Sequence, residues 1–444
     1  MELTRSGPLR TTLIGAASSA DHDSAEEMTQ GAAERPEGVI APFAWGDGLI
    51  PSSGVGSAGT AVIDAAVTSV MREYGIVGCG VCVVRAESIE YAKGFGYAEP
   101  PDIPFTADTA SRCGSLAKPV TALAALLLAD EGELDLDEEV LPILEAAGIA
   151  PRPVGSARID ERIPSIRVRH LMDHTSGLPA GTTYTAWRAD RNVAALHRLT
   201  HAATAVDVVC DGLGSARLDS EPGTQFQYAN ANFVILARVI EAKTGMPFSV
   251  YLTQEAMPKL GVKPDEVYVS RNQTSPRSAS RGRNEAAYYQ TSTERYVSYL
   301  PAEQPRGRVF GEAYRGYATE ASDGGGGIAC TAPGLGRILA TLHSERPALS
   351  SNALSELRTP PAHCASDPGF DPATSPFYSK GFSVRYEDGR PWYSHGGMTN
   401  HCGGVIGHDA GYQWAVVSNW NHSQPPYVDR ILDRALSEAV GKLG

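Results

Sequence analysis

The sequence lacks the features that would place the chain in a membrane or on a nucleic acid. No apolar run approaches the ~18 residues that a membrane-spanning helix needs. The first residues make a poor signal peptide, because their apolar stretch is short and Glu2 is acidic. Acidic residues outnumber basic ones, and the net charge of −13 argues against binding to nucleic acid or to an anionic membrane surface. These absences favour a cytoplasmic protein without a nucleic-acid or membrane partner.

Cysteine is scarce, with seven residues scattered along the chain. An odd, scattered set does not predict a complete disulfide framework, and it suits a reducing compartment. Cys79 and Cys82 have the CxxC spacing of a redox or zinc pair, but they stand in a strand-like run and no second CxxC follows. Because residues i and i+3 point to opposite faces of a strand, we interpret both as ordinary strand cysteines.

Strand patterns occur near both ends of the chain, and helix patterns lie between them. An amphipathic helix at Ala61–Tyr74 is followed by two strands within 80–96. Four strands are predicted within 378–419, and a final amphipathic helix within 427–442. This order predicts an α/β fold of the α+β kind, in which both ends of the chain build one antiparallel sheet flanked by helices.

The same patterns suggest domain boundaries. Residues 1–58 are rich in Ala, Gly, Ser and acids and predict a flexible N-terminal extension. The folded domain is then 59–444. Its sheet part is expected at about 59–118 and 325–444, with a mainly helical part inserted at about 119–324.

Ser115 and Lys118 stand three residues apart, where an apolar run begins that continues to Ala129. Positions i and i+3 share one face of a helix, so the amine of Lys118 can reach the hydroxyl of Ser115. A serine hydroxyl is a poor nucleophile until a base takes its proton, and burial should lower the pKa of Lys118 toward a neutral amine. The unpaired N–H groups of the first turn would favour an oxyanion. A capping serine followed by a surface lysine is the alternative.

Tyr228 and Asn230 lie two residues apart in an extended segment before an apolar-periodic helix, so they share a side. A nearby lysine cation should ease the loss of the tyrosine proton, which makes Tyr228 a candidate general base. Asn230 offers both a donor and an acceptor, suited to holding Lys118 and a substrate amide. A core tyrosine with a capping asparagine is the alternative.

His395, Gly396 and Gly397 end a predicted strand near the C-terminus. Glycines at that place let a substrate lie close against the backbone, which makes all three candidate substrate-binding residues. The N–H of Met398 could pair with that of Ser115 as an oxyanion hole. A plain strand end whose glycines serve a turn is the alternative.

With these motifs in the order S-x-x-K, Y-x-N and H-x-G, the chain resembles the penicillin-recognising serine hydrolases. These comprise class C β-lactamases, D-Ala-D-Ala peptidases and their esterase and acyltransferase relatives. Stretches at 132–140, 166–178 and 222–230 resemble further family signatures, and the resemblance covers roughly residues 60–440. It implies a β-lactamase/transpeptidase-like catalytic domain and an acyl intermediate on Ser115. It also implies a small-molecule acyl substrate, no metal and no organic cofactor.

Three other stretches look like motifs and are interpreted as structural. Lys243-Thr244-Gly245 falls at a helix end, where glycine is a C-cap. His170 and His174 have a spacing that suits zinc, but the glutamate of H-E-x-x-H is missing. The tract 324–327 lacks the Lys-Ser/Thr of a phosphate loop and is predicted to form a loop beside the pocket.

The motifs leave the reaction open. Water as the second nucleophile would make a hydrolase, an amine or alcohol would make an acyltransferase, and failed release would make a covalent β-lactam sensor. His395 replaces a permanently charged lysine, and Met398 replaces a small residue and should narrow the cleft, so efficient penicillin hydrolysis is not expected. We expect hydrolysis of small esters or amides. The alternative is a biosynthetic acyltransferase that moves an acyl group from an ester or thioester to an amine or alcohol.

Overall fold

The computed structural model describes residues 43–153, 158–180, 189–272, 284–290, 296–298, 309–345, 348–422 and 424–443. The strands are β1 Ser52–Val55, β2 Gly78–Arg85, β3 Ser88–Glu99, β4 Ile103–Pro104, β5 Ser111–Arg112, β6 Val267–Val269, β7 Tyr289–Gln290, β8 Tyr296–Val297, β9 Val309–Phe310, β10 Ile328–Cys330, β11 Phe377–Ser379, β12 Phe382–Glu387, β13 Arg390–Met398, β14 Gly403–Asp409, β15 Tyr412–Ser418 and β16 Trp420–Asn421. The α-helices are α1 Ala61–Tyr74, α2 Ala117–Asp130, α3 Val140–Ala146, α4 Val168–Met172, α5 Ala189–Leu196, α6 Ala205–Ser215, α7 Ala231–Thr244, α8 Phe248–Tyr251, α9 Met257–Lys259, α10 Asp323–Gly326, α11 Ala332–Leu342, α12 Ser351–Arg358 and α13 Val428–Val440. None of the helices described is both long and apolar enough to cross a membrane.

One antiparallel sheet organises these elements, and it takes strands from both ends of the chain. Its order is β1-β3-β2-β15-β14-β13-β12-β11, and β4 adds to β3. The N-terminal and C-terminal strands meet in its middle, where β2 pairs with β15 from Arg85↔Tyr412 to Cys79↔Ser418. The predicted antiparallel sheet flanked by helices is confirmed.

Helices cover both faces of this sheet. On one face, α1 and α13 bury their apolar stripes against β2, β14 and β15, in a core that includes Met71, Trp414 and Leu436. On the other face, α11 packs on β2 and β15, and a second core continues from there into α2, α3, α4, α6 and α7. The helical region between the two groups of strands therefore shares one core with the sheet.

Helix α2 is the centre of that second core. Every residue from Ala117 to Leu128 is buried. The alanines and leucines that fill it favour helix, and a helix that is apolar on all sides belongs in an interior. Lys118 is the charged exception in this stretch, and it lies in the first turn. The chain thus places an amine where the sheet and the helical region meet.

The start of the folded region corrects one prediction. Residues 1–42 of the predicted extension lie outside the described residues, but the rest of it belongs to the fold. β1 pairs with β3, and Trp45 stacks on Tyr97 at 5.6 Å between ring centroids. The Trp45 indole also donates to the Ile76 carbonyl at 2.9 Å. The predicted boundary near residue 58 is therefore too late. β1 was not predicted because it is short and exposed, and its sequence does not alternate between apolar and polar residues.

A second correction concerns the strand expected from Tyr378 onward. It is a hairpin, in which β11 and β12 are joined by Lys380 and Gly381, both with positive φ (46° and 82°). A Cβ on Gly381 would lie 2.9 Å from the Lys118 carbonyl oxygen, so this turn packs against the start of α2. Cys79 and Cys82, in contrast, are buried strand residues of β2 and are not in a disulfide, as predicted.

Because α2 carries the shared core, we expect Leu123→Ala to lower the free energy of unfolding by about 2–5 kcal/mol. Leu123 is fully buried, whereas Leu49 is 96% exposed and provides the control Leu49→Ala, which should change little. Urea unfolding followed by circular dichroism measures both variants. Equal, small effects in the two would contradict a central position for α2.

Candidate active site

The turn that carries Ser115 is interlocked with the end of β13 through two glycines. Gly114 has a φ of +54°, and a Cβ on it would lie 2.6 Å from the Met398 nitrogen. A Cβ on Gly397 would lie 2.1 Å from the Cys113 carbonyl oxygen and 2.8 Å from the Ser115 nitrogen. Contacts this close are open only to glycine. They bring the backbone of Ser115 and that of Met398 close together, where the sequence predicts the two N–H donors of an oxyanion hole.

The same stretch of β13 has an edge that no described strand covers. On one side, His395 to Met398 pair with β14. On the other side, the ladder with β12 ends at Ser383↔Ser394. The four residues beyond Ser394 therefore have one strand edge without a described partner strand. This edge lies beside the Ser115 turn, and an extended substrate could lie along it.

The side chain of Met398 lies on the face of β13 away from Ser115. It is opposite Gly403 in the ladder, so the two residues project to the same face of the sheet. A Cβ on Gly403 would lie 2.4 Å from Val428 of α13, whereas Gly397 faces Ser115. The Met398 side chain thus lies on the α13 face, and the expectation that it narrows the cleft beside Ser115 is not supported.

Lys118 makes the contacts expected of a base for Ser115. Its Nζ lies 3.0 Å from Ser115 Oγ, 2.7 Å from Asn230 Oδ1 and 2.7 Å from the carbonyl oxygen of Gly325. The side chain is fully buried, and burial lowers the pKa of Lys118 to about 7, as predicted. A substantial fraction of the amine is therefore neutral near pH 7.

The structure also decides between these residues and their capping alternatives. No side-chain hydrogen bond caps α2 or α7. Asn230 occupies the N-cap position of α7, but its side-chain oxygen accepts from Lys118 instead of from the helix. Gly325 belongs to the glycine tract that was expected to border the pocket. Most of that tract forms the short helix α10, which packs between α2 and α7. The carbonyl oxygen of Gly325 accepts a hydrogen bond from Lys118.

Tyr228 lies beside this pair but not with the expected acidity. Lys118 Nζ is 4.9 Å from the centroid of the Tyr228 ring, and the phenol of Tyr228 lies close to the side chain of Ser115. Burial raises the pKa of Tyr228 above its ordinary value, and the nearby hydroxyl of Ser115 offsets this only in part. The predicted lowering of the pKa by a lysine cation is wrong, because burial is the larger effect and the amine lies over the ring.

His174 was interpreted as structural from the sequence, and it packs against the ring of Tyr228. It is fully buried, with its ring centroid 4.2 Å from that of Tyr228. Its Nδ1 accepts from the Ala229 N–H at 3.3 Å and from the Asn232 amide at 3.0 Å. Burial lowers the pKa of His174 well below its ordinary value, so it stays neutral. It fixes the backbone between Tyr228 and Asn230.

His395 is held by partners on both nitrogens. Nδ1 lies 2.7 Å from the Gly396 carbonyl oxygen, and Nε2 lies 3.2 Å from the hydroxyl of Tyr378. Burial, and then the charge of Lys118, lower the pKa of His395 to about 3. Tyr378 was missed in the sequence. The two-residue turns at Lys380-Gly381 and Asp388-Gly389 fix the register that brings β11 beside His395, and they were the available signal.

The motif-like stretches set aside in the sequence lie elsewhere. Lys243 forms an ion pair with Glu138 at 2.6 Å, and Gly245 is a left-handed C-cap of α7. His170 accepts from the Arg167 N–H through Nδ1 at 3.1 Å. Within the part of the chain that is described, no group of three or more His, Cys, Asp or Glu side chains could hold a metal ion.

A partly exposed serine, a buried amine and two main-chain N–H groups at the end of an antiparallel sheet form the layout of a serine–lysine acyl-enzyme. The Beta-lactamase family model matches residues 63–439. The chain therefore belongs to the beta-lactamase family, and the resemblance to this family predicted from the sequence is confirmed.

Individual relatives are more distant. Penicillin-binding protein 4* of Bacillus subtilis (strain 168) is 28% identical over 198 residues, which cover 43% of this chain and 38% of that protein. Esterase EstB of Burkholderia gladioli is 30% identical over 202 residues, or 45% of this chain and 50% of the esterase. Each match thus covers half or less of the relative's length. The solved structure of EstCE1, a hydrolase with promiscuous acyltransferase activity, is 21% identical with a TM-score of 0.60, covering 86% of this chain and 98% of that one. It shows the same fold.

The close contacts of Gly397 predict that a methyl group at this position slows acylation. In Gly397→Ala the new methyl group would press on the Ser115 turn and move the two N–H groups apart. We expect acylation to slow by about 10²-fold or more, as when an oxyanion donor is removed. Stopped-flow acylation with an activated ester measures the rate, and Gly48→Ala, at a glycine with open space around it, is the control. Normal acylation in Gly397→Ala would exclude this oxyanion site.

Proposed function

We propose that the chain is a serine hydrolase that cleaves small esters or amides through an acyl intermediate on Ser115. Lys118 is the base, Tyr228 passes protons, and the N–H groups of Ser115 and Met398 bind the oxyanion. Asn230 and the edge from His395 to Gly397 bind the substrate.

The contacts of the Lys118 amine carry this proposal. Asn230 Oδ1 and the Gly325 carbonyl oxygen are acceptors only, so each takes an N–H of the lysine. A neutral amine has two N–H bonds and one lone pair. With both N–H bonds directed at these oxygens, the lone pair is left for Ser115 Oγ at 3.0 Å. The amine can therefore take the proton of Ser115 as the hydroxyl attacks a carbonyl carbon.

Tyr228 complements Lys118 because its pKa is raised. It keeps its proton near pH 7, and its phenol lies close to the same Ser115 side chain. When the tetrahedral intermediate collapses, a protonated phenol beside the leaving group can donate to the departing oxygen or nitrogen and be restored from the Lys118 ammonium. The alcohol or amine then leaves, and water attacks the ester on Ser115 with Lys118 again as the base.

The identity of the relatives supports an ester substrate within this scheme. The 30% identical match carries the name esterase. We also infer that His395, neutral in this site, does not supply the cation that lysine supplies in β-lactam hydrolysis.

Acyl transfer is the second candidate. The acyl-enzyme is the same, and only the second nucleophile differs. The structurally similar EstCE1 is described as a hydrolase with promiscuous acyltransferase activity, which favours testing amines and alcohols as acceptors.

Intact-mass spectrometry after addition of p-nitrophenyl butyrate tests the proposal, with Ser115→Ala as the control and a panel of amines in parallel. An adduct on the wild type alone that water clears supports the hydrolase. Clearance that needs one amine supports the transferase, and an adduct that persists supports a covalent sensor. If Ser115→Ala is labelled like the wild type, Ser115 is not the nucleophile.

A neutral base also predicts the pH dependence. The base works only when deprotonated, so kcat/KM should rise with pH through about 7, the pKa of Lys118, and then level off. Asn230→Asp puts a carboxylate on the amine, favours the ammonium and should move the midpoint up by at least about one unit. Asn352→Asp, on the exposed surface of α12, is the matched control. An unchanged midpoint in Asn230→Asp would mean that Lys118 is not the titrating base.

A further inference from the structure

The contacts of His395 fix its tautomer. The Gly396 carbonyl oxygen, 2.7 Å from Nδ1, can only accept a hydrogen bond, so Nδ1 carries the proton. In the neutral ring Nε2 is then an acceptor, and its partner at 3.2 Å is the hydroxyl of Tyr378, which donates. Both nitrogens of the ring are therefore used by the protein before any substrate arrives.

Tyr378 is firmly placed for this role. It pairs with Ser383 in the β11–β12 ladder, and its side chain is buried. Its ring centroid is 5.0 Å from that of His174 and 5.4 Å from that of Phe226. Two residues on, the Lys380 ammonium contacts both carboxylate oxygens of Asp173, at 3.1 and 2.9 Å, and ties the hairpin to the helical region. The hydroxyl of Tyr378 thus has a fixed direction.

The charges around the ring favour its neutral form. Lys118 and Arg430 both oppose an imidazolium at His395. Tyr228 and Tyr378 present aromatic rings, at 6.3 and 5.8 Å between centroids. The carboxylate of Asp429 on α13 lies behind Gly396, on the face of β13 opposite His395.

We propose that Tyr378 is a positioning residue that, with the Gly396 carbonyl, holds His395 as the neutral tautomer protonated on Nδ1, so that the site selects acyl donors without a carboxylate. The inference rests on the proposed function and names its substrate class. The one N–H of the ring and the O–H of Tyr378 are both used within the protein. A substrate carboxylate beside His395 would find no N–H donor at Nε2, because Nε2 already accepts from the hydroxyl of Tyr378. Lys118 offers it no donor either, because its N–H groups are directed at Asn230 and Gly325. An uncharged acyl chain meets no such penalty.

Two esters of equal length test the selection: p-nitrophenyl valerate, which ends in a methyl group, and mono-p-nitrophenyl glutarate, which ends in a carboxylate. We expect the wild type to prefer valerate by at least about tenfold in kcat/KM, the cost of an unpaired charge at a partly buried site. In Tyr378→Phe, Nε2 is open to a proton and to the carboxylate, so the ratio should fall at least about threefold. The KM for valerate should stay within about twofold. Tyr386→Phe, which removes a hydroxyl bonded to the Arg358 carbonyl, is the matched control.

Nitrogen NMR of histidine-labelled protein tests the tautomer without any turnover, with the His395 signals identified by their loss in His395→Gln. We expect a protonated Nδ1 and an unprotonated Nε2 from pH 5 to 8, and a shifted Nε2 signal in Tyr378→Phe but not in Tyr386→Phe. A proton on Nε2, or an unchanged spectrum and ester ratio in Tyr378→Phe, would overturn the role of Tyr378. Preference of the wild type for glutarate would overturn the substrate class. If neither ester acylates Ser115, the proposed function fails, while the spectrum still decides the positioning.

Discussion

The burial of one lysine amine without a carboxylate partner is the constraint on which the site depends. Lys118 is fully buried in the first turn of α2, and its hydrogen-bond partners in the described part of the chain are a hydroxyl, an amide and a main-chain carbonyl. Neutral partners satisfy the N–H groups but do not compensate the loss of hydration of a full charge. The amine therefore gives up its proton near neutral pH. The directions of its two shortest contacts, to Asn230 and to the Gly325 carbonyl, decide where its lone pair points.

Other buried cations of the fold show that this arrangement is local. Arg238 lies against Asp323 and Glu241, Arg112 lies 3.4 Å from Glu285, and Lys380 contacts both oxygens of Asp173. In each case a carboxylate balances the cation, which is how buried charge is ordinarily tolerated. Lys380 belongs to the hairpin turn whose Gly381 packs against the backbone of Lys118, so the two kinds of lysine are near neighbours. One of them ties the sheet to the helical region, and the other is left free to exchange a proton.

Much of this could be predicted from the sequence, because local patterns specify it. The apolar run after Ser115 predicted a buried helix, and the i, i+3 spacing predicted the contact with Lys118. The spacing of Tyr228 and Asn230 predicted that they share a side, and Asn230 does bind Lys118. What failed depends on tertiary environment. The pKa of Tyr228 depends on the balance of burial against charge, and the side-chain face of Met398 depends on the pleat register of β13. To predict that Tyr378 lies beside His395, the register of two successive hairpins has to be counted. The Lys380-Gly381 turn was not recognised as a break between two strands.

The positions of the proposed catalytic and substrate-selecting groups follow from the end of strand β13. β13 continues past its neighbour β12, and the four residues beyond Ser394 supply His395, two glycines and the N–H of Met398. The glycines are needed because the Ser115 turn occupies the space that Cβ atoms would take. His395 is the residue of this edge with a side chain directed to the same face as Ser115, so it is the position where the edge can discriminate between acyl groups. Its partner Tyr378 comes from the outermost strand, two hairpins away, and not from any of the three motifs. The proposed chemistry of acylation thus belongs to the motif residues, whereas the proposed choice of acyl group depends on Tyr378, in a strand outside all three motifs.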